Sequence, residues 1–263
     1  MTKTELKIHT VEQLDRGLAY GEGCFETFRV IDGEVFLWHR HMERLRRGME
    51  CFGYSLSEMD TDLIRERVVH EANGHDTLIR VTVTGGEASW GLIRSEDAQP
   101  TVYIQALSYQ YNDQPIKLTT VEWPLPVTPR PAKFTSDYAL TLRAMHQWQI
   151  VPEKTPLICK DGRVLSSLTA NVLILHGGQW YTPDDVDGGV LSGVVRSLLL
   201  EKGLVEAAQC PVEWLEDCEA MMLSNSAIFS KPVASINGRE IDSMHSATVA
   251  VKELLSMFPG VKY

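Results

Sequence analysis

Several features are scarce in this sequence, and each shortage removes a class of answer. The five cysteines, Cys24, Cys51, Cys159, Cys210 and Cys218, are odd in number, and no two are spaced as Cys-x-x-Cys. That argues against a disulfide framework or a zinc ribbon and fits a reducing compartment, the cytoplasm. No apolar run approaches the roughly 18 residues that a membrane span requires. The segment from Met1 to Arg16 lacks the apolar stretch of a signal peptide. Positive charge is also in deficit, with 25 Lys and Arg against 35 Asp and Glu and a net charge of -10. Nucleic-acid binders carry a basic stripe, so neither nucleic acid nor membrane is an expected partner. There is no Gly-x-Gly-x-x-Gly, no P-loop lysine motif and no Gly-x-Ser-x-Gly elbow. A dinucleotide fold and the common hydrolase elbow are therefore disfavoured.

What is present is an ordinary globular composition, 44% hydrophobic and 23% charged over 263 residues. A chain of that length buries a core without covalent staples. Asp32-Gly33, Asp161-Gly162, Gly177-Gly178 and Asn237-Gly238 lie between apolar, β-prone runs. These pairs tolerate positive φ and predict tight hairpins, hence antiparallel sheet. Helical spacing predicts helices over Trp38–Phe52, Ser57–Ala72, Tyr138–Gln149, Gly193–Lys202 and Ser246–Met257, with Ser57 as an N-cap before an acidic first turn. Leu78–Thr84 and Thr101–Leu107, rich in Val, Ile and Thr, read as strands. The polar stretch from Ser108 to Pro115 divides the chain into α+β units over 1–110 and 116–263.

Few residues advertise chemistry alone. His39 and His41 are two apart on a helix and point to different faces, so they read as polar helix residues rather than metal ligands. Asp184, Asp185 and Asp187 lack a calcium loop's glycine and terminal glutamate and read as a solvated turn. Lys133 stands apart because Pro124, Pro126, Pro129 and Pro131 stiffen its approach. A lysine held rigidly in a buried place has a lowered pKa and becomes a Schiff-base nucleophile, although most lysines merely solvate a surface. Gly188 to Arg196 runs from a loop into a helix N-terminus, which offers free N–H groups to an anion. Ser224-Asn225-Ser226-Ala227 sets small polar residues at a strand end, and Tyr20 to Arg29 sets a glycine turn before a strand. Taken singly, these three read equally well as a cap, a turn and a hairpin.

Taken in order, the segments resemble the class IV aminotransferase family, the fold-type-IV pyridoxal-phosphate enzymes. "DRGLAYGEGCFETFRVIDGEVF" resembles the family's opening signature, and "HRHMERL" its His-x-x-Arg-Leu helix. "GRVLSSLTANVLIL" resembles the strand pair behind the cofactor ring, and "GVLSGVVR" and "SNSA" the two phosphate-cup segments. The resemblance implies an α+β fold of two domains, like D-amino acid aminotransferase, and a homodimer with pyridoxal 5'-phosphate between the domains. It makes Lys133 the cofactor's covalent anchor, and Tyr138 the contact of its phenolic oxygen. Arg44, Gly193, Val194, Val195 and Ser226 become the phosphate site, while Ser166 and Asn171 lie on the ring-nitrogen side.

Two positions depart from the family pattern. Ser166 stands where the family has a glutamate that keeps the ring nitrogen protonated and the ring a strong electron sink. Val195 replaces a threonine hydroxyl, a loss of about 1–3 kcal/mol if the phosphate bond is not replaced. The family's two chief reactions are amino transfer from branched-chain or D-amino acids and the lyase reaction of 4-amino-4-deoxychorismate. The lyase releases pyruvate and is driven by aromatisation to 4-aminobenzoate, so it is expected to tolerate Ser166 better. It needs an acid, for which Lys133 and Thr27 are both candidates, and arginines for an anionic amino substrate. Arg29, on the strand face of Thr27, and Arg80 are the candidates for that task, or else structural ion pairs. A relative without cofactor or catalysis is the remaining alternative.

Overall fold

The computed structural model describes residues 10–88, 90–95, 98–148 and 155–263. The chain begins with β1 (Leu14–Asp15), α1 (Arg16–Tyr20), β2 (Gly23–Ile31) and β3 (Glu34–Val35), then α2 (Trp38–Glu50), α3 (Glu58–Ala72), β4 (Thr77–Thr84), β5 (Glu87–Ala88) and β6 (Thr101–Ser108). It continues through β7 (Ile116–Glu122), α4 (Asp137–Trp148), β8 (Thr155–Lys160), β9 (Arg163–Ser167), β10 (Asn171–His176), β11 (Gln179–Pro183), α5 (Val194–Glu201), β12 (Glu206–Ala208), β13 (Ala220–Asn225), β14 (Phe229–Ile236), β15 (Arg239–Glu240) and α6 (Ser246–Ser256). The expected end of α4 at Gln149 lies outside the described residues, as do residues 1–9 of the N-terminal segment.

The first sheet is antiparallel, in the order β3-β2-β4-β6. Period-two alternation sends Cys24, Phe28, Val30, Ile79, Val81 and Val83 to one face. That face packs on Met42, Leu45 and Met49 of α2 and Ile64 and Val68 of α3. Helix α3 starts where its sequence demands, since Ser57 and Asp60 form a reciprocal capping box. The opposite face carries Phe25, Thr27 and Arg29 beside Leu78, Arg80 and Thr82.

The second sheet runs β12-β11-β10-β13-β14-β7-β8-β9, with β15 beside β14. It is mixed, with parallel pairs β11/β12, β14/β7 and β7/β8. Its central strands are covered on both faces, which is why they read as unbroken apolar runs. Leu173, Leu175 and Met222 face Leu198 and Leu199 of α5 and Val251 and Leu255 of α6. Val172, Ile174, Met221 and Leu223 face Leu157, Val164 and Val233. All four expected hairpin pairs have positive φ at both residues, from 49° at Asp161 to 89° at Gly238. Among the described residues no helix is long and apolar enough to cross a membrane.

Candidate active site

The edge of β2 meets the proline-stiffened segment and fixes Lys133. The Phe25 N–H donates to the Lys133 carbonyl at 2.9 Å and the Thr135 N–H to Gly23 at 2.9 Å, while Cys24 and Phe134 bridge antiparallel. The lysine side chain, half-buried, enters a cavity also walled by Phe25, Arg44, Tyr138, Ser166 and Asn171. Gly193, Val194 and Ser226 complete the far end of the same cavity. Burial lowers the Lys133 pKa to about 8; Glu26 opposes the shift, and the positive charges of Arg44, Arg130 and Arg80 add to it. The neutral amine, the form a nucleophile or base must have, is therefore far more populated near physiological pH than in an ordinary lysine, and it becomes the major form above about pH 8.

The far end has the character of an anion cup. Gly193 N-caps α5 and contributes no side-chain cap, so the first-turn N–H groups lack intrahelical partners. The loop before it is gripped from two sides. Asn171 Nδ2 donates to the Leu191 carbonyl at 2.8 Å, and Arg44 Nη1 donates to Ser192 at 2.9 Å. A Cβ at Gly193 would fall 2.0 Å from Asn171 Oδ1, so this approach requires glycine. Arg44 is oriented from behind by Glu26, through Nε to Oε1 and Nη2 to Oε2, both at 2.7 Å. A phosphate dianion fits this donor set of helix N–H groups, guanidinium and the Ser226 hydroxyl.

The remaining candidates divide. Val195 is not brought to the cavity lining: its side chain is turned into the core around α5, 1% exposed. Tyr138 stacks on Phe25 with ring centroids 5.1 Å apart, and the Arg80 guanidinium lies 3.8 Å from the Phe25 centroid. Arg80 therefore sits at the cavity's aromatic wall. Thr27, half-buried, is paired in register with Arg80 on the same open face, outside the cavity lining. Arg29 is not brought to the cavity; of its two readings, substrate arginine or structural ion pair, the structure shows the ion pair. It is 1% exposed and closed onto Asp76. Its Nη1 donates to the Lys262 carbonyl at 2.8 Å, and Tyr109 and Phe229 cover its faces. Alternation predicted its side of the strand correctly, but Asp76 and the C-terminal tail claim that end of the sheet.

Other residues of the site become visible only in the fold. His41, read as a polar helix residue, is fully buried, with Nδ1 2.7 Å from Glu26 Oε2 and Nε2 without a partner among the described residues. Burial lowers its pKa, favouring the neutral ring. Arg130 and Asp137 line the cavity; the prolines flanking Arg130 were the available signal. Among the described residues no group of three or more His, Cys, Asp or Glu side chains could hold a metal ion.

Residues 23–236 match the family described as Amino-transferase class IV. The chain belongs to this family. Members use pyridoxal 5'-phosphate, so the chain is a pyridoxal-phosphate enzyme of fold type IV, with the α+β architecture expected from the sequence. It is similar to a Methanocaldococcus jannaschii protein provisionally named a branched-chain-amino-acid aminotransferase, at 26% identity over 96% of this chain and 91% of that one. It is similar to an aminodeoxychorismate lyase of Bacillus subtilis, at 25% identity over 95% of this chain and 90% of that one. The crystal structure of 4-amino-4-deoxychorismate lyase from Pseudomonas aeruginosa superposes with a TM-score of 0.78 at 25% identity, covering 96% of each chain. Both reactions of the family are thus represented among its relatives.

Proposed function

We propose that this enzyme is a lyase that converts 4-amino-4-deoxychorismate into 4-aminobenzoate and pyruvate, a step of folate biosynthesis. The observation that carries the reading is Ser166. It lies in the cavity wall, 8% exposed, with a neutral hydroxyl where a carboxylate would keep the ring nitrogen protonated. When bound, the cofactor withdraws electrons from the carbon beside the substrate nitrogen. A weakened sink is tolerable when aromatisation drives the reaction, and costly for two half-reactions of amino transfer.

The chain's own groups then have distinct tasks. Lys133 anchors the cofactor and, once displaced by the substrate amine, accepts the proton from the ring carbon at Nζ. The C–O bond to the enolpyruvyl group breaks, the ring becomes aromatic, and a proton returns to the leaving group, which ends as pyruvate. Lys133, which lines the cavity, supplies that proton, since Thr27 lies outside the lining. Arg44, Val194 and Ser226 hold the phosphate; Tyr138 positions the phenolic oxygen, and Arg80 receives a substrate carboxylate.

The same reading makes the enzyme a cytoplasmic homodimer built of units 1–110 and 116–263, the second carrying the lysine and most of the phosphate cup. Exposed Trp90, Leu92, Ile93 and Leu107 are consistent with a covered surface. The second reading is amino transfer from branched-chain or D-amino acids, favoured by the aminotransferase among the relatives. The deciding experiment loads the protein with pyridoxal phosphate, traps it with borohydride and locates the label. The loaded enzyme is then offered 4-amino-4-deoxychorismate, and separately amino acids with 2-oxoglutarate. Label on Lys133 with 4-aminobenzoate and pyruvate in equal amounts supports the lyase. Label with only keto-acid exchange supports the aminotransferase, and no label supports an inert relative.

A further inference from the structure

The geometry points to Arg130 as the residue that holds the cofactor's ring nitrogen unprotonated, acting through Ser166, and so selects elimination over amino transfer. The inference rests on the lyase reading above and deepens it. A second cavity, walled by Trp123, Val127, Ile158 and Leu165, adjoins the first. The residues bordering both are Arg130, Asp137, Ser166, Ser167 and Leu168, so they frame the neck between the two spaces. Ser166 is more than nine-tenths buried, and among the described residues its hydroxyl makes no hydrogen bond. The hydroxyl is accessible from the cavity whose wall it joins, and so is free to take a ligand atom as its partner.

Two charged groups share that neck, and they impose opposite polarities on the serine. A guanidinium only donates. If Arg130 donates to Ser166 Oγ, the hydroxyl proton is free to point at the ring nitrogen, which then serves as an acceptor without a proton of its own. If Asp137 instead accepts the hydroxyl proton, Oγ must accept from a protonated ring nitrogen. Three observations favour the arginine. Arg130 lies between two prolines, which confine its backbone, and bridges to Leu191 beside the phosphate cup. Its Nη2 sits at the long distance of 3.4 Å from Asp137 Oδ2, which leaves further donors for Ser166 while turning the carboxylate toward Arg130. Its charge also reaches into the cavity, where it adds to the lowering of the Lys133 pKa.

The test reads the nitrogen itself. The full-length enzyme is reconstituted with pyridoxal phosphate carrying nitrogen-15 in the ring, labelling of Lys133 is verified by borohydride and mass spectrometry, and the nitrogen-15 chemical shift is recorded. The wild type is expected to show an unprotonated pyridine. Arg130→Gln and Ser166→Glu are expected to move the shift toward the protonated form, and Asp137→Asn to leave it unprotonated. Arg130→Gln should also raise side transamination by about tenfold or more, equivalent to about 1.4 kcal/mol of barrier. A wild-type nitrogen already protonated overturns the inference, even if Arg130→Gln does not fold. So does an Arg130→Gln holoenzyme with an unchanged shift, or a protonation state that follows Asp137 instead. Failure of the wild type to label Lys133 defeats the underlying functional reading as well, whereas a labelled enzyme with a protonated ring defeats only the role of Arg130.

Discussion

Arg44 and Glu26 meet as a closed, two-pronged ion pair, with both N–O distances 2.7 Å and the side chains 3% and 1% exposed. Glu26 projects from the core face of β2 and Arg44 from the buried stripe of α2. The pair therefore couples the first sheet's packing to the mouth of the phosphate cup, where Arg44 also holds the Ser192 carbonyl. His41 binds the same carboxylate one helical turn earlier.

Removing one partner of a buried pair leaves the other charge stranded, at a cost of about 3–5 kcal/mol. Glu26→Ala is expected to lose stability of that order, measured by chemical denaturation. The pair also predicts a pH dependence. Burial alone would raise the Glu26 carboxyl, but the Arg44 charge and hydrogen bonds, together with His41, outweigh it and hold the group well below the usual carboxylate range. A depressed folded value contributes stability that is complete above the unfolded value of about 4.3 and is lost as pH falls toward the folded one. Between about pH 4.3 and the acid limit of folding, the wild type should lose stability more steeply than Glu26→Gln.

Lys133 provides a kinetic prediction. With its pKa lowered to about 8, the uptake of pyridoxal phosphate by the apoenzyme should rise between about pH 7 and 9, because only the neutral amine attacks. Glu26 opposes the lowering, so Glu26→Gln should move the midpoint down; Arg130 promotes it, so Arg130→Gln should move the midpoint up. Stopped-flow absorbance across that range checks both signs. Lys133→Ala should take no covalent label.

Much of this site was legible because its signals are local. The Asp-Gly and Asn-Gly turns, the Ser57 cap and the glycine before α5 each fix backbone conformation within a few residues, and the structure keeps all of them. Lys133 was legible through its proline approach, and Arg44 through the resemblance. The failures are long-range. Nothing near Arg29 in sequence announces Asp76, 47 residues away, or the Lys262 carbonyl, 233 residues away. His41 read only as a polar helix residue because its partner lies on another element, and the neck between Arg130 and Ser166 exists only once β9 folds beside the proline segment.

The Arg29–Asp76 pair separates a structural arginine from a site arginine. Asp76→Ala removes the half-buried carboxylate from the buried Arg29, which keeps the Lys262 carbonyl, and a loss of about 1–3 kcal/mol is expected. Affinity for pyridoxal phosphate should stay within about twofold, because Arg29 lies outside the cavity wall. Denaturation curves and equilibrium titration of the same variant give the two values. A large loss of affinity at unchanged stability would return Arg29 to the site.

Gly193 carries a steric prediction. A methyl group there would sit 2.0 Å from Asn171 Oδ1 and force apart the bond that holds Leu191. Gly193→Ala should weaken pyridoxal phosphate by about tenfold or more, about the 1.4 kcal/mol worth of one good hydrogen bond. Pyridoxal without the phosphate should be affected much less, which separates a damaged cup from a damaged fold.

Ser166→Glu tests the electronic argument in the direction of gain. The residue borders two cavities, so a longer side chain has space in which to extend. A carboxylate there would favour a protonated ring nitrogen, deepening the sink that amino transfer requires. Transamination of an amino acid with 2-oxoglutarate is expected to rise by about tenfold, a barrier reduction of about 1.4 kcal/mol. Elimination, driven by aromatisation, should change less. A folded, cofactor-loaded Ser166→Glu enzyme with unchanged or lower transamination would mean that the ring nitrogen does not limit that reaction, and the preference for elimination would have to come from the substrate pocket instead.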